Sequence, residues 1–142
     1  MPYTRVYLPL TAQHLSALAE GGAVGPAPLS AHAVTPALGK PGLTTDQEEL
    51  EHLAWLAAVE DAAQHSRDGS LRRVVAAADV DSGDVAVPAA GSPASRVEVT
   101  AELDRPRIVS FHVDEEPGAT EATDLLWFDV TELAEVRALL AR

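Results

Sequence analysis

Residues 44–67 read TTDQEELEHLAWLAAVEDAAQHSR, and the stretch is long and periodic enough to predict one helix over Thr45–Arg67. Thr45 followed by Glu48 forms a capping box, with Asp46, Glu48 and Glu49 in the electropositive first turn. Gly69 marks the stop. Between these ends, Leu53-Ala54-Trp55-Leu56-Ala57-Ala58-Val59 is a run of seven apolar residues. At about 100° per residue it points nearly all round the axis. One sheet face covers only one stripe of such a helix, so the side bearing Trp55 is expected to meet another helix, a long loop or a second subunit. Trp55, Val59 and Ala62 are the candidate interface residues, and a homodimer is the candidate assembly.

Upstream, Tyr3–Leu10 predicts a strand with Val6, Leu8 and Leu10 on one face and Arg5 and Tyr7 on the other. Pro9 makes it an edge strand or ends its pairing. Thr11 caps a helix over Ala12–Glu20, closed by Gly21 and Gly22, and Ala31–Thr35 reads as a second strand. Strand, helix, strand at this spacing suits a right-handed parallel crossover.

Downstream, Leu71–Val80 predicts a strand with Val74, Ala76, Ala78 and Val80 inward and Arg73, Val75, Ala77 and Asp79 opposite. Asp81–Ser95 has neither period nor anchor and is expected to be a mobile loop. Val97, Val99, Ala101 and Leu103 alternate with polar residues, and Arg107–Asp114 returns with Val109, Phe111 and Val113 on the core side, as in an antiparallel hairpin. Leu125–Val130 is apolar on both faces and is expected to be a central or covered strand. Thr131 caps a closing helix. The expected fold is one α+β domain spanning residues 1–142, with a mixed, mostly antiparallel sheet of five or six strands and three helices on one main face.

With 46% apolar residues among 142, the chain can bury a full core. No apolar run is long enough to span a membrane, and MPYTRVYLPLT lacks the pattern of a secretion signal, so the expectation is a cytoplasmic protein with no membrane partner. The absence of cysteine removes disulfides, thiolate nucleophiles and cysteine zinc sites. A net charge of −12 repels a phosphate backbone, so nucleic acid is not an expected partner; the candidate partner is a protein of unknown identity, which an acidic face could select as basic. The acids cluster, seven between Asp46 and Asp68 and eight between Asp114 and Glu135. That distribution suits either a binding face or a solvated one.

Arg5-Val6-Tyr7-Leu8-Pro9-Leu10-Thr11 and Ala33-Val34-Thr35-Pro36-Ala37-Leu38 resemble a family of short actinobacterial proteins of unknown function. The likeness continues through Glu48-Glu49-Leu50-Glu51, Arg72-Arg73-Val74-Val75-Ala76-Ala77, His112-Val113-Asp114 and Leu125-Leu126-Trp127-Phe128. It implies a cytoplasmic actinobacterial protein and carries no activity, cofactor or site residue with it.

Phosphate-cradling glycine loops, the nucleophile elbow and the H-E-x-x-H zinc motif are all missing from the sequence. No cofactor is implied. The best constellation is Ser110-x-His112-x-Asp114, because alternate strand residues project from one face. His112 and Asp114 could ligate a divalent metal, with Asp79 as a conceivable third ligand, or His112 could act as a base oriented by the carboxylate. The same pattern also describes the wet face of a hairpin. Arg72 and Arg73 could bind an anion, or pair with a local acid such as Glu98 or Asp79. Tyr7 and Arg5 could edge a groove, while His14 and His32 are isolated and Trp127 reads as core or interface. Two functions follow: a non-enzymatic, self-associating interaction or regulatory protein, and a small metal-dependent or acid/base enzyme using His112 and Asp114.

Overall fold

The computed structural model describes residues 2–38, 46–65, 72–88, 93–116 and 125–141. Its strands are β1 (Tyr3–Leu10), β2 (Ala23–Val24), β3 (Leu29–His32), β4 (Val74–Asp81), β5 (Val85–Ala86), β6 (Arg96–Val99), β7 (Leu103–Asp104), β8 (Ile108–Val113) and β9 (Leu126–Asp129). Its helices are α1 (Ala12–Gly21), α2 (Gln47–His65) and α3 (Leu133–Leu140). Seven strands form one antiparallel sheet in the order β5-β6-β3-β1-β4-β8-β9, and β2 pairs with β7 in a small second sheet. The α+β class holds. The extra strands beyond the expected five or six are two-residue pieces, too short to show a period.

β1 is central rather than an edge, paired with β4 along its whole length from Tyr3↔Asp81 to Leu10↔Val74. On its other side it meets β3 only at Tyr7↔His32, and Pro9 has no N–H with which to extend that ladder. The two strands diverge there. The expected parallel crossover is replaced by antiparallel pairing, because β2 diverts the chain toward β7 and the next long-sheet strand starts at Leu29.

The expected hairpin between the strands near residues 97–103 and 107–114 is also replaced. β6 pairs with β3 and β5, whereas β8 pairs with β4 and β9, on the far side of the sheet. Alternation is a local signal that fixes a strand's faces but not its partner. Here Thr100 N donates to Asp84 O at 2.8 Å, and a 3-10 turn at Arg105–Arg107 redirects the chain. Asp84 and β5 lie in the segment expected to be mobile, so part of that segment is pinned; residues 89–92 of it are outside the described residues. In β8 the register shifts opposite Ala77/Ala78, which leaves Val109 36% exposed instead of facing the core. β9 is the sheet's outer strand, not a central one, and its Trp127 is 60% exposed.

Both faces of the sheet are covered. Val6, Leu8 and Leu10 of β1 and Val74, Ala76 and Ala78 of β4 pack with Leu15 and Leu18 of α1 and Leu133 and Val136 of α3. The alternate residues, Tyr7, Val75 and Ala77, pack under α2. The expectation of three helices on one main face therefore becomes two on one face and α2 on the other. Central strands that are apolar on both faces need cover on both. Leu50, Ala54, Ala58 and Ala62 form a stripe at four-residue spacing, and the small alanines let α2 settle closely on the sheet.

Helix ends follow local chemistry. Thr11 Oγ1 accepts from His14 N at 3.3 Å while His14 Nδ1 accepts from Thr11 N at 3.1 Å, and Gly22, at φ +74°, caps the other end of α1. The Thr45 cap and Gly69 stop expected for α2 lie outside the described residues. Asp46 Oδ1 accepts from Glu48 N at 2.9 Å, giving the helix an N-terminal cap. No described helix is long and apolar enough to cross a membrane.

Candidate functional site

α2 lies over β1, β3 and β4 but leaves the same face of β8 and β9 open. Two cross-strand rows reach that open region. One runs Tyr7, Ala77, Ser110, Asp129, and the other Pro9, Val75, His112, Trp127. Directly opposed residues share a sheet face. Ala77, small between Tyr7 and Ser110, leaves the floor low. The result is a cleft of about 500 Å³ between α2 and the β8–β9 edge, walled by Trp55 and His52 on one side and Trp127 and His112 on the other.

Trp55 stacks on His52, with ring centroids 5.6 Å apart, and meets His112 edge-on at 5.8 Å. The side of α2 that was expected to need another helix, a loop or a second subunit is thus partly covered by the chain's own β8. Trp55 Nε1 is buried without a hydrogen-bond acceptor. Glu48 and Glu51 line the cleft from α2, and its arginine, Arg5, is occupied by Asp79 through bonds of 2.6 and 3.1 Å. Burial, assisted by the Glu51 carboxylate, pushes the Tyr7 phenol up to about 12.

The structure brings together only part of the sequence-predicted catalytic set. Ser110 Oγ and His112 Nε2 are hydrogen-bonded at 3.1 Å, and burial lowers the His112 pKa, keeping the ring neutral at pH 7. Asp114 is engaged elsewhere. It is 2% exposed and accepts from Arg73 Nε and Nη2, each at 2.8 Å, and from Arg73 N at 2.7 Å. A carboxylate held this way neither orients His112 nor completes a metal pair with it. Asp79, the conceivable third ligand, is on Arg5, and among the described residues no cluster of three His, Asp or Glu is placed to hold a metal.

The candidate anion site is likewise divided. Arg73 forms a buried ion pair with Asp114, correcting the expectation of a partner such as Glu98 or Asp79. Arg72 Nη1 donates to Leu139 O at 3.0 Å and its Nη2 to Glu115 O at 3.4 Å, tying α3 to the sheet. Of the interface set, Val59 and Ala62 are 0% and 1% exposed and pack inside the chain, which leaves Trp55 alone at a cleft.

Sequence reasoning missed the joint presence of Tyr7, Glu48, Glu51, His52 and Trp127, because those residues converge only when β1, α2 and β9 meet. It also missed a buried chain of bonds. His32, which looks isolated in sequence, meets Ser95 Oγ at 2.7 Å through Nδ1 and Asp61 Oδ2 at 2.5 Å through Nε2. His32 and Ser95 are 2% and 3% exposed, so this Ser-His-Asp series presents no accessible nucleophile. It fastens β3 and the start of β6 to α2.

No curated protein and no solved structure matches the chain. A family model does match, over residues 4–136, and the chain therefore belongs to a family of unknown function, DUF6912.

Proposed function

We propose that this is a non-enzymatic binding protein whose cleft between α2 and β8–β9 holds a basic segment of a partner protein. The carrying observation is the combination of aromatic walls with carboxylates and an arginine already neutralised: Trp55, Trp127 and Tyr7 beside Glu48 and Glu51, with Arg5 on Asp79. Aromatic faces attract a Lys or Arg side chain, and nearby carboxylates add charge attraction. The net charge of −12 steers a basic partner toward the chain.

Tryptophan fluorescence during titration with an end-blocked tetralysine peptide tests this. Saturable binding is expected, weakened about tenfold by Trp127→Ala, a loss equivalent to about 1.4 kcal/mol. Trp127→Ala leaves the net charge intact, so unchanged binding in that variant would reduce the effect to general attraction and defeat the proposal. Light scattering on the free chain separates self-association. Leu53, 39% exposed, and Trp127 are apolar groups a second copy would cover. A dimer lost on Trp127→Glu, at the cleft wall, would make a second copy, rather than a basic peptide, the occupant.

A second reading, an acid/base enzyme, is favoured by one observation: the neutral His112 against Ser110 inside a cleft. Ser110 is 3% exposed, so the group this reading uses is His112 acting as a base. Modification of the His112 ring by diethyl pyrocarbonate, absent in His112→Asn, would support it; a ring that stays unmodified would sink it.

A further inference from the structure

A second cleft, of about 430 Å³, opens where β1 and β3 diverge beyond Tyr7↔His32. Its walls include Leu10, Val24, Pro26 and Leu29, and Arg96, Ser30 and Asp61 bring polar groups to it. The volume falls within the range of small-molecule sites. Arg96 pairs across strands with His32, so the two residues share the face that α2 covers.

Arg96 is half-buried, yet its guanidinium has no carboxylate within ion-pair distance among the described residues. Its Nη2 donates to Ser30 Oγ at 2.7 Å, and its Nε is buried with no hydrogen-bond partner. Arg5, Arg73 and Arg107 all lie on carboxylates, so the chain does not lack acids to offer. The acid that lines the same cleft, Asp61, is held by His32. The Nη2 end of the side chain is exposed at the Ser30 bond, so a guanidinium with no ion-pair partner among the described residues is presented to the cleft, where a ligand anion can pair with it.

We infer that this cleft binds a carboxylate carrying an apolar body, with Arg96 as its anchor. The carboxylate pairs with the exposed end of the Arg96 guanidinium, and the body lies along Pro26 and Pro28, exposed apolar residues of the cleft wall. A single guanidinium and the adjacent Asp61 favour a monoanion over a phosphate dianion. The ligand chemistry is shared by a free apolar carboxylic acid and by a peptide C-terminus with an apolar last residue. The overall charge of −12 repels anions, so saturable uptake of one requires a local site.

The test is NMR of the Arg96 Nε–H resonance, identified by its loss in Arg96→Lys, during titration of the full chain with hexanoate, hexanamide and acetate. Hexanoate is expected to shift the resonance saturably, with hexanamide and acetate each weaker by about tenfold or more. Equal binding of hexanamide would remove Arg96 as anchor. Equal binding of acetate would remove the apolar body, and no saturable shift with hexanoate would overturn the site. An end-blocked peptide finishing in a leucine carboxylate, beside its amide, separates the two sources: tighter binding than hexanoate assigns the site to a peptide end, weaker binding to a free acid. Hexanoate affinity in Arg96→Lys, read from the backbone amide shift of Ser30, is expected to fall about tenfold. If that variant is unfolded by circular dichroism, the acid-against-amide comparison on the wild type decides alone.

Discussion

Replacing Asp114 by Asn removes the charge opposite Arg73 while keeping the size of the side chain. In the folded protein both side chains of this pair are nearly dry, 4% and 3% exposed, and the carboxylate accepts three bonds from one arginine. Asn offers one acceptor oxygen and no charge, so the Arg73 guanidinium stays buried and loses the opposite charge of Asp114. Breaking such a pair from one side costs about 3–5 kcal/mol. At an unfolding entropy of about 2.1 cal/mol/K per residue, a chain of this length loses roughly 10–17 °C in Tm. Urea denaturation followed by circular dichroism gives the free energy, and a thermal scan gives the shift. Two controls fix the interpretation. Arg107→Gln breaks an exposed pair with Asp81, 3.7 Å apart, and is expected to cost far less than Asp114→Asn. The double variant Arg73→Met with Asp114→Leu replaces the pair by apolar groups and is expected to recover most of the loss. A loss below about 1 kcal/mol for Asp114→Asn would refute the placement of this pair as a buried, charge-dependent clamp between β4 and the end of β8.

Thr11→Ala removes one side of the α1 capping box and is expected to cost about 1 kcal/mol in the same urea experiment. His112, its pKa lowered by burial, makes stability pH-dependent below its ordinary value of 6.5. The unfolded chain takes up the proton first, so stability is full above about pH 6.5 and falls as pH drops toward the folded pKa. Stability measured across that window should decline less steeply in His112→Gln than in the wild type. For Tyr7 the sign is opposite: its folded pKa of about 12 lies above the unfolded 10.0, so its contribution is present below pH 10 and lost as pH rises through 12. Phenolate absorbance in Tyr7→Phe should lack the late-titrating step seen in the wild type.

The candidate site was legible in fragments. Ser110 and His112 sit two apart on one strand, and strand periodicity alone is enough to predict their shared face. Asp114 obeys the same periodicity, but it follows the last residue of β8, where Arg73 at the start of β4 captures it. Period cannot report a competing partner forty-one residues away. Trp55 was recognisable as the residue that one sheet face cannot cover. That its cover is His112, with Trp127 across the cleft, follows from the β8–β9 pairing, which no local pattern encodes.

By itself the sequence determined the α+β class, a long helix expected over Thr45–Arg67 and found over Gln47–His65, the inward residues of β1 and β4, and the exclusion of cysteine chemistry, because each rests on local periodicity or composition. Only the tertiary structure decided the strand order, the separation of α2 from α1 and α3, and which charges are spent on one another. The physical reason is that alternation specifies which side of a strand is apolar, whereas partner choice depends on the sum of contacts across the sheet. Both clefts arise from that second kind of information. One lies where α2 leaves β8 and β9 open, and the other where β1, at Pro9, stops pairing with β3.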